Sequence, residues 1–198
     1  LTGDELTHLE KSPHLEAFAA KGYEVIFFTD PVDEWVIDSL GKFADKPLKS
    51  VAKGDVQLDS ELEKEAKAKE REEKSKQYAD LVSYIKDVLK DEIKDVKLSN
   101  RLTSSAACLV ADEHDVSAHM QRILQQMKQP MPDFKRILEI NAGHPLFAKM
   151  NLWLQTDRSN PKLGDYAQLL YQQALLTEGS KLKDPLWFTQ KLSELMAA

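Results

Sequence analysis

The chain has 198 residues, 42% hydrophobic and 30% charged, with a formal net charge of −6 and a pI near 5.4. This suits one or two small soluble domains, argues against a nucleic-acid surface, and leaves no apolar stretch near the ~20 residues a spanning helix needs. The lone Cys108 excludes an internal disulfide and fits a reducing compartment, so a cytoplasmic location is expected; the absence of a signal-peptide pattern and the start at Leu1 suggest a piece of a longer protein.

Residues 1–57 read as a small α/β unit. Ser12 and Pro13 open a helix that Gly22 can end in a left-handed turn. The apolar run Val25 to Phe28 then predicts a strand covered on both faces, stopping at Thr29. Asp30 as cap, Pro31 at the first helical position, and Asp33 and Glu34 near the positive end of the dipole predict a helix over 31–43. On it Val32, Val36, Leu40 and Phe43 form the expected core-facing stripe. Trp35 lies about 100° to one side, beside Asp38 and Ser39, where burial under a loop and exposure are both compatible with the pattern. A last strand is expected near "LKSVAK", with Gly54 and Asp55 turning.

At 58–78 the composition changes to alternating acids and bases, "LDSELEKEAKAKEREEKSKQ", which fits a linker or a solvated linking helix. Residues 79–198 then read as a mixed α/β domain. "YADLVSYIKDVLKDEI" is amphipathic through Leu81, Ile85, Val88 or Leu89, and Glu92, while "DVKLSNRL", "AACLVA" and "KRILEIN" have the length and apolar content of strands. Asn160 with Pro161, and Asp184 with Pro185, open two final helices separated by Gly179.

Catalytic chemistry is sparse. "CLVADEHDVSAHM" gathers Cys108, Asp112, Glu113, His114, Asp115 and His119, but His114 and His119 are about 140° apart around a helix and cannot face one metal. Asp115 and His119, four apart, could share an ion, and Cys108 is the one thiol; a metal or thiol enzyme on these three residues is therefore one reading, and acids capping a helix beside an inert buried cysteine is the other. Neither GxxxxGK[ST] nor GxGxxG occurs. No catalytic residue, metal or cofactor is expected in this chain.

Two helix faces call for cover. In "DVSAHMQRILQQM" the residues Val116, Met120, Ile123, Leu124 and Met127 share one side, with Gln, Arg and His opposite, and that side fits either an intramolecular core or a surface for varied apolar partners. The "KQPMPD" loop follows. In the terminal helices Leu163, Tyr166, Leu169, Leu170 and Ala174 form one apolar face, and Phe188, Leu192, Leu195 and Met196 another with Trp187 beside it. One hairpin leaves much of this wet, so two hairpins related by a two-fold axis are expected to form a four-helix bundle, a homodimer through residues 160–198 centred on Leu170, Phe188, Leu192 and Leu195.

"SPHLEAFAAKGYEVIFFTDPVDEW", "KSVAKGDVQL", "IKDVLKDEIKDVKLSNRLTSSAACLV" and "LEINAGHPL", in that order, resemble the cytosolic ninety-kilodalton heat-shock chaperone family over the whole chain, most closely its bacterial members. The eukaryotic members end in a MEEVD docking tail, whereas this chain ends "SELMAA", which points to a version without that docking function. The resemblance implies the last α/β part of the middle domain followed by the C-terminal dimerisation domain of an ATP-driven, Mg-dependent dimeric chaperone. It also implies that nucleotide binding and the arginine that assists hydrolysis belong to other domains, so that the family activity is not complete in this chain. It assigns client-protein binding to the positions of Trp35 and Asp38 and to the helix carrying Val116, Met120, Ile123 and Leu124. The short Val116 and the charged Asp38 suggest weaker grip on apolar segments there and a preference for clients with some positive charge. A dimerisation scaffold without client binding is the competing reading.

Overall fold

The structure, a computed structural model, describes residues 1–128 and 134–197, and most of the "KQPMPD" loop lies outside them. It is α+β, with two short helices, α1 (Leu6–Leu9) and α2 (Glu16–Ala20), flanking a 3-10 turn at Pro13–Leu15. The turn opens as expected, with Ser12 Oγ accepting from His14 N at 3.4 Å, and Gly22 follows α2 with φ +68°.

The next segment departs from the expected strand. Between Val25 and Phe28 the pairing is a parallel bridge of Phe28 to Thr2, in which Gly3 N donates to Phe28 O at 3.1 Å and Phe28 N to Leu1 O at 3.0 Å, extended by the Leu1 amine donating to Ile26 O at 2.8 Å. Ile26 is 66% exposed. A strand covered on both faces needs neighbours on both edges, and the one neighbour here is Leu1–Gly3.

Helix α3 (Asp33–Leu40) also differs from its pattern. Asp33 Oδ2 accepts from Asp30 N at 3.0 Å, so the start is fixed by Asp33 reaching back and not by an Asp30 cap. Gly41 at φ +59° ends the helix early. Phe43 therefore falls in a hairpin, β1 (Lys42–Phe43) against β2 (Lys46–Pro47), whose turn residues Ala44 and Asp45 both have positive φ, as a tight two-residue turn requires. The stripe expected to face the core faces outward, with Val32, Val36, Leu40 and Phe43 58%, 49%, 52% and 71% exposed, while Glu34 is 4% exposed. The expected "LKSVAK" strand shrinks to a single bridge, Lys53 to Ala111.

The charged run and the amphipathic segment after it form one helix, α4 (Glu61–Val88). Its start is a capping box, with Ser60 Oγ accepting from Glu63 N at 3.3 Å and Glu63 Oε2 accepting from Ser60 N at 2.7 Å. Lys21 ties this end to α2, since its Nζ reaches Leu58 O at 2.9 Å, Asp59 Oδ1 at 2.7 Å and Glu63 Oε2 at 3.0 Å. The first turns stay wet and are supported by pairs such as Glu70 with Lys74, each worth a few tenths of a kcal/mol. The last turns bury Tyr78, Leu81 and Ile85, as the apolar spacing predicts, and the helix stops before Glu92.

A three-stranded mixed sheet follows. β3 (Ile93–Leu98) and β4 (Ala107–Val110) flank β5 (Arg136–Ile140), parallel to the first and antiparallel to the second, and α5 (Ala118–Gln126) joins β4 towards β5. Three further helices close the chain: α6 (Pro145–Thr156), α7 (Pro161–Thr177) and α8 (Pro185–Met196). Sequence reading placed the last two and passed over α6, although His144 and Pro145 repeat the cap-then-proline signal, with His144 Nδ1 accepting from Leu146 N at 3.3 Å. The end of α4, β3, β4, β5, α6 and α7 share one core, in which Leu81, Ile85, Leu89, Leu138, Ile140, Phe147, Met150 and Leu163 are fully shielded from solvent. α8 buries none of its residues.

Candidate functional site

The first 57 residues meet the sheet domain at a polar junction built from the stretches that carry the family resemblance. Arg101, directly after "LSN", is 1% exposed, and Glu139, the acid inside the buried strand β5, is 5% exposed. Arg101 Nε donates to Glu139 Oε2 at 2.9 Å and Nη2 to Glu139 Oε1 at 3.0 Å, a bidentate pair, while Ser99 Oγ donates to Glu139 Oε2 at 2.6 Å. Two further guanidinium hydrogens bind Val51 O and Gly54 O from "KSVAKGD". Beside them Gly54 N donates to Ala111 O at 2.9 Å and Ala111 N to Ala52 O at 3.2 Å, so this segment extends the open edge of β4. Arg101 and Glu139 lie within two of the stretches that carry the resemblance, and neither has a task legible from spacing or periodicity. The available signal was an acid within an apolar strand run, which requires a cationic partner.

A second bond crosses the same junction. Glu16 accepts from the backbone amides of Thr103, Ser104 and Ser105 at 2.6, 2.8 and 3.1 Å. Desolvation works against its ionised form, but the amide bonds from Ser105, Ser104 and Thr103 win and hold its pKa at about 2, against 4.5 ordinarily. A carboxyl depressed on folding stabilises the protein above its unfolded pKa, and that contribution disappears as pH falls through the folded one. We expect Glu16→Gln to flatten the stability profile between about pH 4.5 and 2, measured by urea unfolding at stepped pH; an unchanged slope would refute the role. His14, buried nearby, is kept neutral, its pKa pushed down to about 3 by burial and by the charge of Arg101.

The third contact joins α3 to α5. Ser117, the N-cap of α5, accepts from Met120 N at 2.9 Å and donates to Glu34 Oε1 at 2.6 Å. His119, 2% exposed, places Nδ1 3.2 Å from the same Glu34 oxygen. Its Nε2 lies 3.3 Å from Asp4 Oδ1 but off the hydrogen-bond line, an ion-pair contact only. Burial opposes the Glu34 charge, yet bonds from His119, Ser117 and Thr2 hold its pKa at about 2. Arg122 carries the network onward, with Nη2 on Asp4 at 2.8 Å and Nη1 on Glu178 O, beyond the end of α7, at 3.0 Å.

The residues proposed for clients fall around this contact. Trp35 is 42% exposed on the outward side of α3, and Asp38 lies in solvent one turn on from Glu34. Val116 and Leu124 are half-buried, Met127 is 58% exposed, and Met120 and Ile123 are buried at 6% and 7%. The polar side of α5 is not solvated as its pattern suggested, because His119 and Gln121 are buried there. Both flanks of this helix are therefore packed, which leaves Val116, Leu124 and Met127 as its accessible apolar part.

The thiol and metal reading fails on placement. His119 turns to Glu34 and Asp4, Asp115 lies 3.7 Å from Lys94 Nζ, and Cys108 is inside β4, where burial pushes its thiol pKa up and away from the reactive thiolate. No cluster of metal-ligating side chains occurs among the described residues. Of the residues expected at a dimer interface, Leu170 is 3% exposed within the chain's own core, Phe188 is half-buried, and Leu192 and Leu195 are 43% and 36% exposed.

These elements define a class, an α+β module with exposed apolar helix faces and a junction stiffened by a buried Arg101–Glu139 pair. The chain belongs to the Hsp90 protein family, whose profile matches residues 1–198. It is 54% identical over 198 residues to the chaperone protein HtpG of Geobacter sulfurreducens and to that of Geobacter metallireducens, and 46% identical over 197 residues to HtpG of Frankia casuarinae. Each comparison covers 100% of this chain and 30% of the relative, so the chain spans about a third of the length of the proteins it matches.

Proposed function

We propose that this chain is the client-binding and dimerising part of an ATP-driven, Mg-dependent chaperone acting in the cytoplasm, with residues 1–57 as the end of a middle domain, 58–78 as the connection and 79–198 as the dimerisation domain. Nucleotide and Mg act elsewhere in the whole protein. The observation that carries the client reading is the outward face of α3, where Trp35 stands among Val32, Val36 and Leu40, all about half exposed. A soluble protein gains nothing from wetting such a stripe unless another chain covers it. Glu34 and Ser117 touch, which links the helix that carries Trp35 to the segment that carries Val116. Asp38, exposed one turn on from Glu34, adds a negative charge nearby that favours clients with some positive charge.

The reading is tested by mixing the chain with an aggregating apolar client and following light scattering. Trp35→Ala and Leu124→Ala are each expected to weaken protection while lowering stability by roughly 1 kcal/mol, against about 3–5 kcal/mol for truncating a packed core aromatic. Unchanged protection in both variants would leave a dimerisation scaffold; unfolding of either would show that its side chain is structural.

A further inference from the structure

We propose that Glu34 and His119 form a latch that fixes the spacing of α3 and α5, so that they are positioning residues for the client surface although neither is exposed to a client. The inference rests on the client reading for its functional part and on geometry alone for its structural part. α3 turns its acid inward and its apolar stripe outward, the reverse of an ordinary amphipathic packing, and the partners that hold it so are Ser117 Oγ at 2.6 Å and His119 Nδ1 at 3.2 Å, with Thr2 of the N-terminal segment beside them. Because Ser117 is also the N-cap of α5, rotation of α3 that withdrew Glu34 would disturb the first turn of α5 as well. Asp4 on the far side of the imidazole and Arg122 on Asp4 tie the N-terminal segment and α7 into the same unit, so His119 is enclosed by groups from the N-terminal segment and α3. Trp35 is one residue from the Glu34 end of the latch, and Val116 three residues from His119. A buried carboxylate held by only two side-chain groups of the partner domain has few ways to remain satisfied if they part, which favours one discrete spacing over a continuum.

The test measures spacing and binding separately in the full chain. Nitroxides at Ser39→Cys and Gln126→Cys, in dimers diluted with unlabelled chain, report the distance between α3 and α5; the buried Cys108 leaves the label to the introduced thiols. A narrow distribution is expected for the parent. Glu34→Gln and His119→Leu should each broaden it, the double variant should add nothing further, and His119→Gln, which keeps a donor, should restore it. Affinity for reduced, carboxymethylated α-lactalbumin, a soluble unfolded probe, should weaken roughly three- to tenfold in the broadened variants. Distributions as narrow as the parent's in both single variants overturn the latch. Broadening with unchanged probe affinity overturns the positioning role if Trp35→Ala does weaken binding. If Trp35→Ala also binds normally, the client reading fails while the latch stands as a structural device.

Discussion

Replacing Arg101 by alanine is expected to destabilise the protein by about 3–5 kcal/mol, a large part of the net stability of a domain of this size. The reason is what the substitution leaves behind. Glu139 would keep a carboxylate at 5% exposure with Ser99 as its one remaining donor, and the carbonyls of Val51 and Gly54 would lose their donors in the same step. The loss should appear as a lower urea midpoint at fixed protomer concentration, and as faster amide exchange at 51–54, where the β4 edge pairing depends on those carbonyls staying in place. Glu139→Gln should cost less, since an amide oxygen still accepts from Arg101. The double variant Arg101→Met with Glu139→Leu should recover much of the stability, because paired apolar groups leave no charge stranded. A midpoint for Arg101→Ala equivalent to less than about 0.5 kcal/mol of loss would show that the pair is not what fastens the first 57 residues to the sheet.

A chain ending at Lys183 should be monomeric where the intact chain is a dimer. α8 buries no residue of its own, and Leu186, Leu192, Leu195 and Met196 are 82%, 43%, 36% and 81% exposed, with Leu176 on α7 at 48%. That much apolar surface on one twelve-residue helix is more than the rest of the protomer covers, and a two-fold copy of the same hairpin is the simplest complement. A stable interface of this kind buries on the order of 1,600 Å². Since Leu170 already lies in the protomer core, the proposed contact is carried by α8 and the outward side of α7, with Leu192, Leu195 and Phe188 at its centre. Removing α8 should therefore abolish association without unfolding the remainder, whose core contains no residue of α8. Sedimentation at tens of micromolar decides it; a monomeric intact chain or a dimeric truncated one would overturn the proposal.

Local chemistry alone determined the elements whose signals lie within a few residues. Ser12 with Pro13, Asn160 with Pro161 and Asp184 with Pro185 open helices where a cap and a restricted φ say they must, and the apolar runs around Cys108 and Leu138 are strands of one sheet. The order of quoted motifs was enough to place the chain in its family. The direction in which α3 faces was not legible, because periodicity identifies an apolar side and assumes that it packs inward. Glu34 reverses that assumption through Ser117 and His119, more than eighty residues away, with Thr2 beside them. The tasks of Arg101 and Glu139 were settled in the same way. A buried charge is tolerable only where distant parts of the chain bring its partners, and those partners exist only once the sheet and the first 57 residues have closed on each other.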